Sequence, residues 1–132
     1  MEIMIVDDEP QVADVLSRSL TRQGHRTTVV HSGQEAIDLL RDTTPDAMFL
    51  DVSMPGMNGL DVMAEVKRLK PSLAVVVITG HATADQIDRV RALGAVDIIQ
   101  KPSALTNYHR AIERLQSPKT ASDAEPRVTQ QL

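Results

Sequence analysis

A chain of 132 residues fits one domain and is long enough to bury a hydrophobic core. Its 42% hydrophobic and 24% charged content is ordinary for a globular protein, and a net charge of −4 gives no basic field for nucleic acid or an anionic membrane. With no cysteine it has no disulfide, thiol nucleophile or thiolate metal site, which fits a reducing cytoplasm.

The opening segment, MEIMIVDDEP, has no basic stretch, and its apolar run stops at Val6. It does not read as a signal peptide. The run Glu2–Val6 predicts a strand. Val12, Val15, Leu16 and Leu20 then recur at helical spacing, with Pro10 suited to a first turn. A second strand is predicted at 26–30. The sequence Ser32-Gly33-Gln34-Glu35 forms a capping box ahead of Ala36, Ile37 and Leu40. The third strand, DAMFL at 46–50, is followed by Asp51. Pro55 and Gly56 break the chain's direction, and Asn58 caps a helix carrying Val62, Val66 and Leu69. The fourth strand, LAVVVI at 73–78, is the longest apolar run and far too short to span a bilayer. Thr83 caps a helix with Ile87, Val90 and Leu93 that ends at Gly94. A fifth strand at 96–99 precedes a stripe of Leu105, Tyr108, Ile112 and Leu115.

Five βα units predict an α/β fold, a doubly wound parallel sheet with helices on both faces, over residues 1–116. The remaining residues, 117–132, are polar, hold two prolines and lack an apolar stripe, so they read as a disordered tail or linker.

In such a sheet, ligands sit beyond the carboxyl ends of the strands. The first strand delivers Asp7-Asp8-Glu9 there, the third Asp51, the fourth Thr79-Gly80 and the fifth Lys101-Pro102. His31-Ser32, after the second, reads only as a helix cap. Clustered acids repel one another unless they take up protons or share a cation. Carboxylates and a backbone carbonyl suit Mg²⁺, bound together with phosphate oxygens. A lysine opposite them supplies a point charge for an anion, expected to matter only when a phosphoryl oxygen is present. These are the parts for phosphoryl transfer onto an aspartate. Taken singly, Asp8 or Glu9 is an ordinary helix-start acid, Thr79 a turn residue and Lys101 a surface charge. Their coincidence at four strand ends carries the functional reading. His25, His31, His81 and His109 show no metal-ligand spacing and read as surface or loop residues.

The segments IVDDEP, FLDVSMPGMNGLD, VVVITGH and GAVDIIQKP, in this order and spacing, resemble the receiver domain of two-component response regulators. The resemblance covers residues 2–116. It implies a flavodoxin-like fold with strand order 2-1-3-4-5 and a signalling domain whose only chemistry is phosphotransfer onto itself and autodephosphorylation. Asp51 would be the phosphoacceptor. Asp8, Asp51 and the backbone carbonyl of Ser53 would bind Mg²⁺ directly, and Asp7 through water. Lys101 would pair with a phosphoryl oxygen, Thr79 would swing to hydrogen-bond it, and the Lys101–Pro102 bond would be cis. Pro55 and Gly56 would turn the loop back over the site, and Ser53 and His81 would flank the path of an attacking water. The implied partners are a sensor histidine kinase or phosphotransfer protein and a downstream protein or missing output domain. Neither direct nucleic acid binding nor a membrane contact by this chain is implied.

Two positions depart from the family pattern. Ile98 stands where a Tyr, Phe or His is usual, and Ser103, a candidate cap for the fifth helix, stands where Phe is common. Competing functions fit less well. A flavin mononucleotide binder of the same architecture wants a hydroxyl- and glycine-rich phosphate loop and aromatics, whereas Phe49 and Tyr108 are the only aromatics here. A haloacid-dehalogenase phosphatase wants a second acid two residues after its nucleophile, and that position is Ser53. No P-loop occurs. A receiver-like fold without phosphorylation would be expected to lose an acid, the lysine or the acceptor, and all are kept.

Overall fold

The structure is a computed structural model that describes residues 1–54, 58–80 and 83–116, and the backbone of 127–129. In chain order the elements are β1 (Glu2–Val6), α1 (Pro10–Arg22), β2 (Arg26–Val30), α2 (Gly33–Asp42), β3 (Ala47–Asp51), α3 (Gly59–Leu69), β4 (Ala74–Thr79), α4 (Ala84–Ala92), β5 (Asp97–Gln100), α5 (Leu105–Gln116) and β6 (Arg127–Thr129). The strands pair in the order β2-β1-β3-β4-β5-β6, and every pairing is parallel. The first five follow the predicted order 2-1-3-4-5.

Alternation along each strand divides the core into two layers. Met4, Val6, Met48, Leu50, Val75 and Val77 pack with α2, α3 and α4. Ile3, Ile5, Phe49, Val76, Ile78 and Ile99 pack with α1 and α5. Since both faces are covered, the central strands read as continuous apolar runs.

The helix starts follow local chemistry. Pro10 lies in the first turn of α1. Ser32 Oγ accepts from the Glu35 amide at 3.1 Å, while its hydroxyl donates to the Glu35 carboxylate. The reciprocal capping box is instead at α4, where Thr83 and Gln86 exchange bonds at 3.2 and 3.4 Å. Asn58 Oδ1 accepts from the amides of Leu60 and Asp61. Gly24 and Gly94 follow α1 and α4 at φ +94° and +101°, a conformation that costs glycine little.

Three expectations are corrected. Strands three to five each end one residue later than predicted, so Asp51 and Thr79 lie inside the ladder. The tail, expected to carry no element, contributes Arg127–Thr129, which pair with Asp97–Ile99. Val128 and Thr129 are β-branched, and β5 otherwise offers an unpaired edge. His25, expected at the surface, is buried, and its Nδ1 accepts from the N-terminal ammonium at 3.1 Å. Burial, helped by the charges of that ammonium and of His109, lowers its pKa and keeps the ring neutral. Among the described residues no helix is long and apolar enough to cross a membrane.

Candidate functional site

The site lies where the strand order reverses. Val6 pairs with Leu50, so Asp7 leaves β1 beside Asp51 at the end of β3. Asp51 pairs in turn with Ile78, and Thr79 pairs with Gln100, which brings Lys101 to the same rim. A bond from the Lys101 amide to the Thr79 carbonyl, 2.8 Å, ties the last two strand ends together. Asp7 and Asp51 are each only 2% exposed. The Lys101–Pro102 peptide bond is cis, as the resemblance implies.

The Lys101 ammonium joins the ends of three strands. Its Nζ donates to Asp51 Oδ2 at 2.8 Å, Asp7 Oδ2 at 3.0 Å and Glu9 Oε1 at 3.2 Å. Burial works against the charged lysine, but hydrogen bonds to Asp51 and Asp7 and their negative charge outweigh it and raise its pKa. This corrects the expectation that the lysine has no task until a phosphoryl group is present: it already neutralises buried carboxylates.

Asp7, Asp8, Glu9 and Asp51 each place a carboxylate oxygen within 4.8 Å of the others. Four acids facing one lysine leave an excess of negative charge, and this all-oxygen donor set fits a hard cation such as Mg²⁺. Asp7 Oδ1 is bound to the Glu9 amide at 2.9 Å, and Asp51 Oδ1 to the Ser53 amide at 2.7 Å. Each buried carboxylate is thus oriented by the backbone two residues on.

Thr79 takes a different partner. Asp51 lies in the register of the α1/α5 layer and Thr79 in that of the α3/α4 layer. The Thr79 and Ser53 hydroxyls are hydrogen-bonded at 3.3 Å, and Ser53 Oγ accepts from the Gly80 amide at 2.8 Å. Pro55, Gly56 and His81 lie outside the described residues.

Several supports were not read from the sequence. His31, taken for part of a helix cap, uses Nδ1–H to donate to the Asp7 carbonyl at 2.9 Å, so the end of β2 also steadies the acid cluster. His109 bridges Ser19 of α1 and Gln23 just past its end, and Ser103 accepts from the side chain of Asn107 at 2.8 Å. Asp97 is buried and pairs with Arg114, fixing β5 to α5.

A doubly wound parallel sheet with buried acids and a lysine at its switch point defines the class as the phosphoacceptor domains of signalling proteins. Residues 3–113 match the family model for the response regulator receiver domain. The chain belongs to that family. It is 36% identical to the DNA-binding transcriptional regulator NtrC of Klebsiella pneumoniae, over 91% of this chain and 26% of that protein. Identity to the response regulator MprA of Mycobacterium avium is 36%, over 95% of this chain and 55% of the relative. The receiver domain of NtrX from Brucella abortus superposes with a TM-score of 0.79 at 31% identity, covering 86% of this chain and 96% of that one. The chain therefore spans between a quarter and just over half of these two curated relatives.

Proposed function

We propose that this chain accepts a phosphoryl group on Asp51 from the phosphohistidine of a sensor histidine kinase or phosphotransfer protein, in a Mg²⁺-dependent reaction. The observation that supports this most is the Lys101 ammonium held between Asp51 and Asp7 at 2.8 and 3.0 Å, beside an acid cluster built for a cation.

Asp8, Asp51 and the Ser53 carbonyl would hold the ion, with Asp7 acting through water. Bound there, Mg²⁺ offsets the repulsion between the acids and an anionic donor and stabilises charge on the phosphoryl oxygens. An Asp51 oxygen attacks phosphorus, the P–N bond to the donor imidazole breaks, and that electron pair returns to the ring. Lys101 passes a hydrogen bond from the carboxylates to a phosphoryl oxygen. The Ser53 amide holds Asp51 Oδ1 and leaves Oδ2 to the Lys101 ammonium. Attack by water later returns the free carboxylate.

In this reading residues 1–116 are the receiver in a cytoplasmic setting, and 117–132 are a tail or linker. The output passes to a docked protein or an attached output domain. Incubation with acetyl phosphate and Mg²⁺ should add one phosphoryl group by intact mass. The addition should vanish in Asp51→Asn and in EDTA. Equal labelling of Asp51→Asn, or full labelling in EDTA, would sink the assignment.

A further inference from the structure

We propose that the Ser53 hydroxyl is a positioning group that holds the Gly80 amide and the Thr79 hydroxyl off the acceptor until Asp51 is phosphorylated, an inference that rests on Asp51 being the phosphoacceptor.

Ser53 touches both sides of the site through different atoms. Its amide donates to Asp51 Oδ1 at 2.7 Å. Its Oγ accepts from the Gly80 amide at 2.8 Å and is hydrogen-bonded to Thr79 Oγ1 at 3.3 Å. Ser53, two residues past β3, therefore fixes the last residue of β4 and the one that follows it. No steric lock reinforces the contact: a Cβ on Gly80 would stand 3.7 Å from Ser53 Oγ, an ordinary distance. The restraint is polar, and a stronger acceptor can break it.

Phosphorylation supplies that acceptor. A phosphoryl group brings about 1.5–2 negative charges and three strong acceptor oxygens to Asp51, which Ser53 links to these two groups. Hydrogen bonds to an ionised acceptor are roughly twice as strong as the neutral ones that Ser53 makes. The donors should then leave Ser53 for the phosphoryl oxygens. Space for the change exists. A cavity of about 480 Å³ lies beside Ser53 and Thr79, walled by Leu60, Ile87, Val90 and Ile98. Thr79 and Gly80 stand at the carboxyl end of β4, ahead of α4 in the chain.

Three forms of the full chain test the idea by NMR: wild type, Ser53→Ala and Ser53→Thr, each without donor and then titrated with beryllofluoride in Mg²⁺. Without donor, exchange of the Gly80 amide should rise about fivefold or more in Ser53→Ala, the loss of one net hydrogen bond, and stay near wild type in Ser53→Thr. In the titration, Ser53→Ala should reach half-saturation at about a fivefold lower concentration, because no bond to Ser53 has to break. Unchanged Gly80 exchange in Ser53→Ala overturns the proposal, as does a half-saturation that stays put or rises. Faster Gly80 exchange with no response of any form to beryllofluoride overturns the phosphoacceptor reading itself, and Ser53 is then a structural bond only.

Discussion

Lys101 shows how one side chain serves two states of a site. Its side chain is 17% exposed, and the ammonium bridges two carboxylates that are nearly fully buried. Removing one partner of a buried ion pair typically costs more than the pair is worth, because the abandoned charges stay desolvated. Lys101→Ala should therefore lower stability by about 3 kcal/mol in EDTA. Saturating Mg²⁺ should restore most of the loss, since the cation takes over the neutralising charge. Thermal melts of both proteins with and without the ion would check this. Equal melting temperatures in EDTA would show that Asp7 and Asp51 do not need the lysine. At this scale the sequence marks Asp7, Asp8, Asp51, Thr79 and Lys101, because each stands at or just past the end of a strand's apolar run. It was silent on the Ser53–Gly80 bond, on His25 under the N-terminus and on the Asp97–Arg114 pair. Those contacts depend on the path of turns between elements, which hydrophobic periodicity does not encode.

At the scale of elements, all five predicted strands and helices form where the periodicity put them, yet the one-residue shift at the ends of β3 and β4 changes what the ends can do. Asp51 and Thr79 are inside the parallel ladder rather than beyond it. The Val52 amide continues that hold by donating to the Ile78 carbonyl at 2.9 Å. The start of α3 depends on this support. A Cβ at Gly59 would collide with the Val52 carbonyl oxygen and come within 2.6 Å of its Cα. Only glycine lets the helix approach so closely. Gly59→Ala should cost about 2–3 kcal/mol by overpacking and push the Asp51–Ser53 segment out of line. Denaturant unfolding would read the first effect, and a weaker beryllofluoride response the second. An alanine variant as stable as wild type would show that the turn yields freely.

Across the whole molecule, the helices are not equally anchored. Among its described residues α4 fully buries only Val90, whereas α5 buries Asn107, Tyr108, Ala111 and Ile112. β5 is held between neighbours, tied to α5 through Asp97 and Arg114, and its Ile98 is 1% exposed. Regions with few buried contacts open first. Activation is therefore expected to remodel residues 79–93 more than 96–116. A buried isoleucine has few rotamers and no polar tip with which to swing outward. The exposed face of α4, where Asp85 pairs with Arg89 beside Asp88 and Arg91, then offers charges of both signs for selective docking. Amide exchange with and without beryllofluoride would locate the change. Protection differences confined to 96–116 would move the output face to β5 and α5.

The packing of Phe49 against Tyr108, edge to face with centroids 5.5 Å apart, has an optical consequence. The chain has no tryptophan and one tyrosine, so its intrinsic emission has a single source. That source is buried on α5, and burial raises the pKa of its hydroxyl, so the phenol stays protonated. Phe49 stands two residues before Asp51 on the same side of β3, about 6.6 Å along the strand. Tyr108, packed on Phe49, therefore lies in the α1/α5 layer, on the face of the sheet opposite α4. Tyrosine emission thus reports the α1/α5 layer that packs under β3, and a tryptophan placed on α4 would add a second, spectrally separate channel for the opposite face of the same molecule.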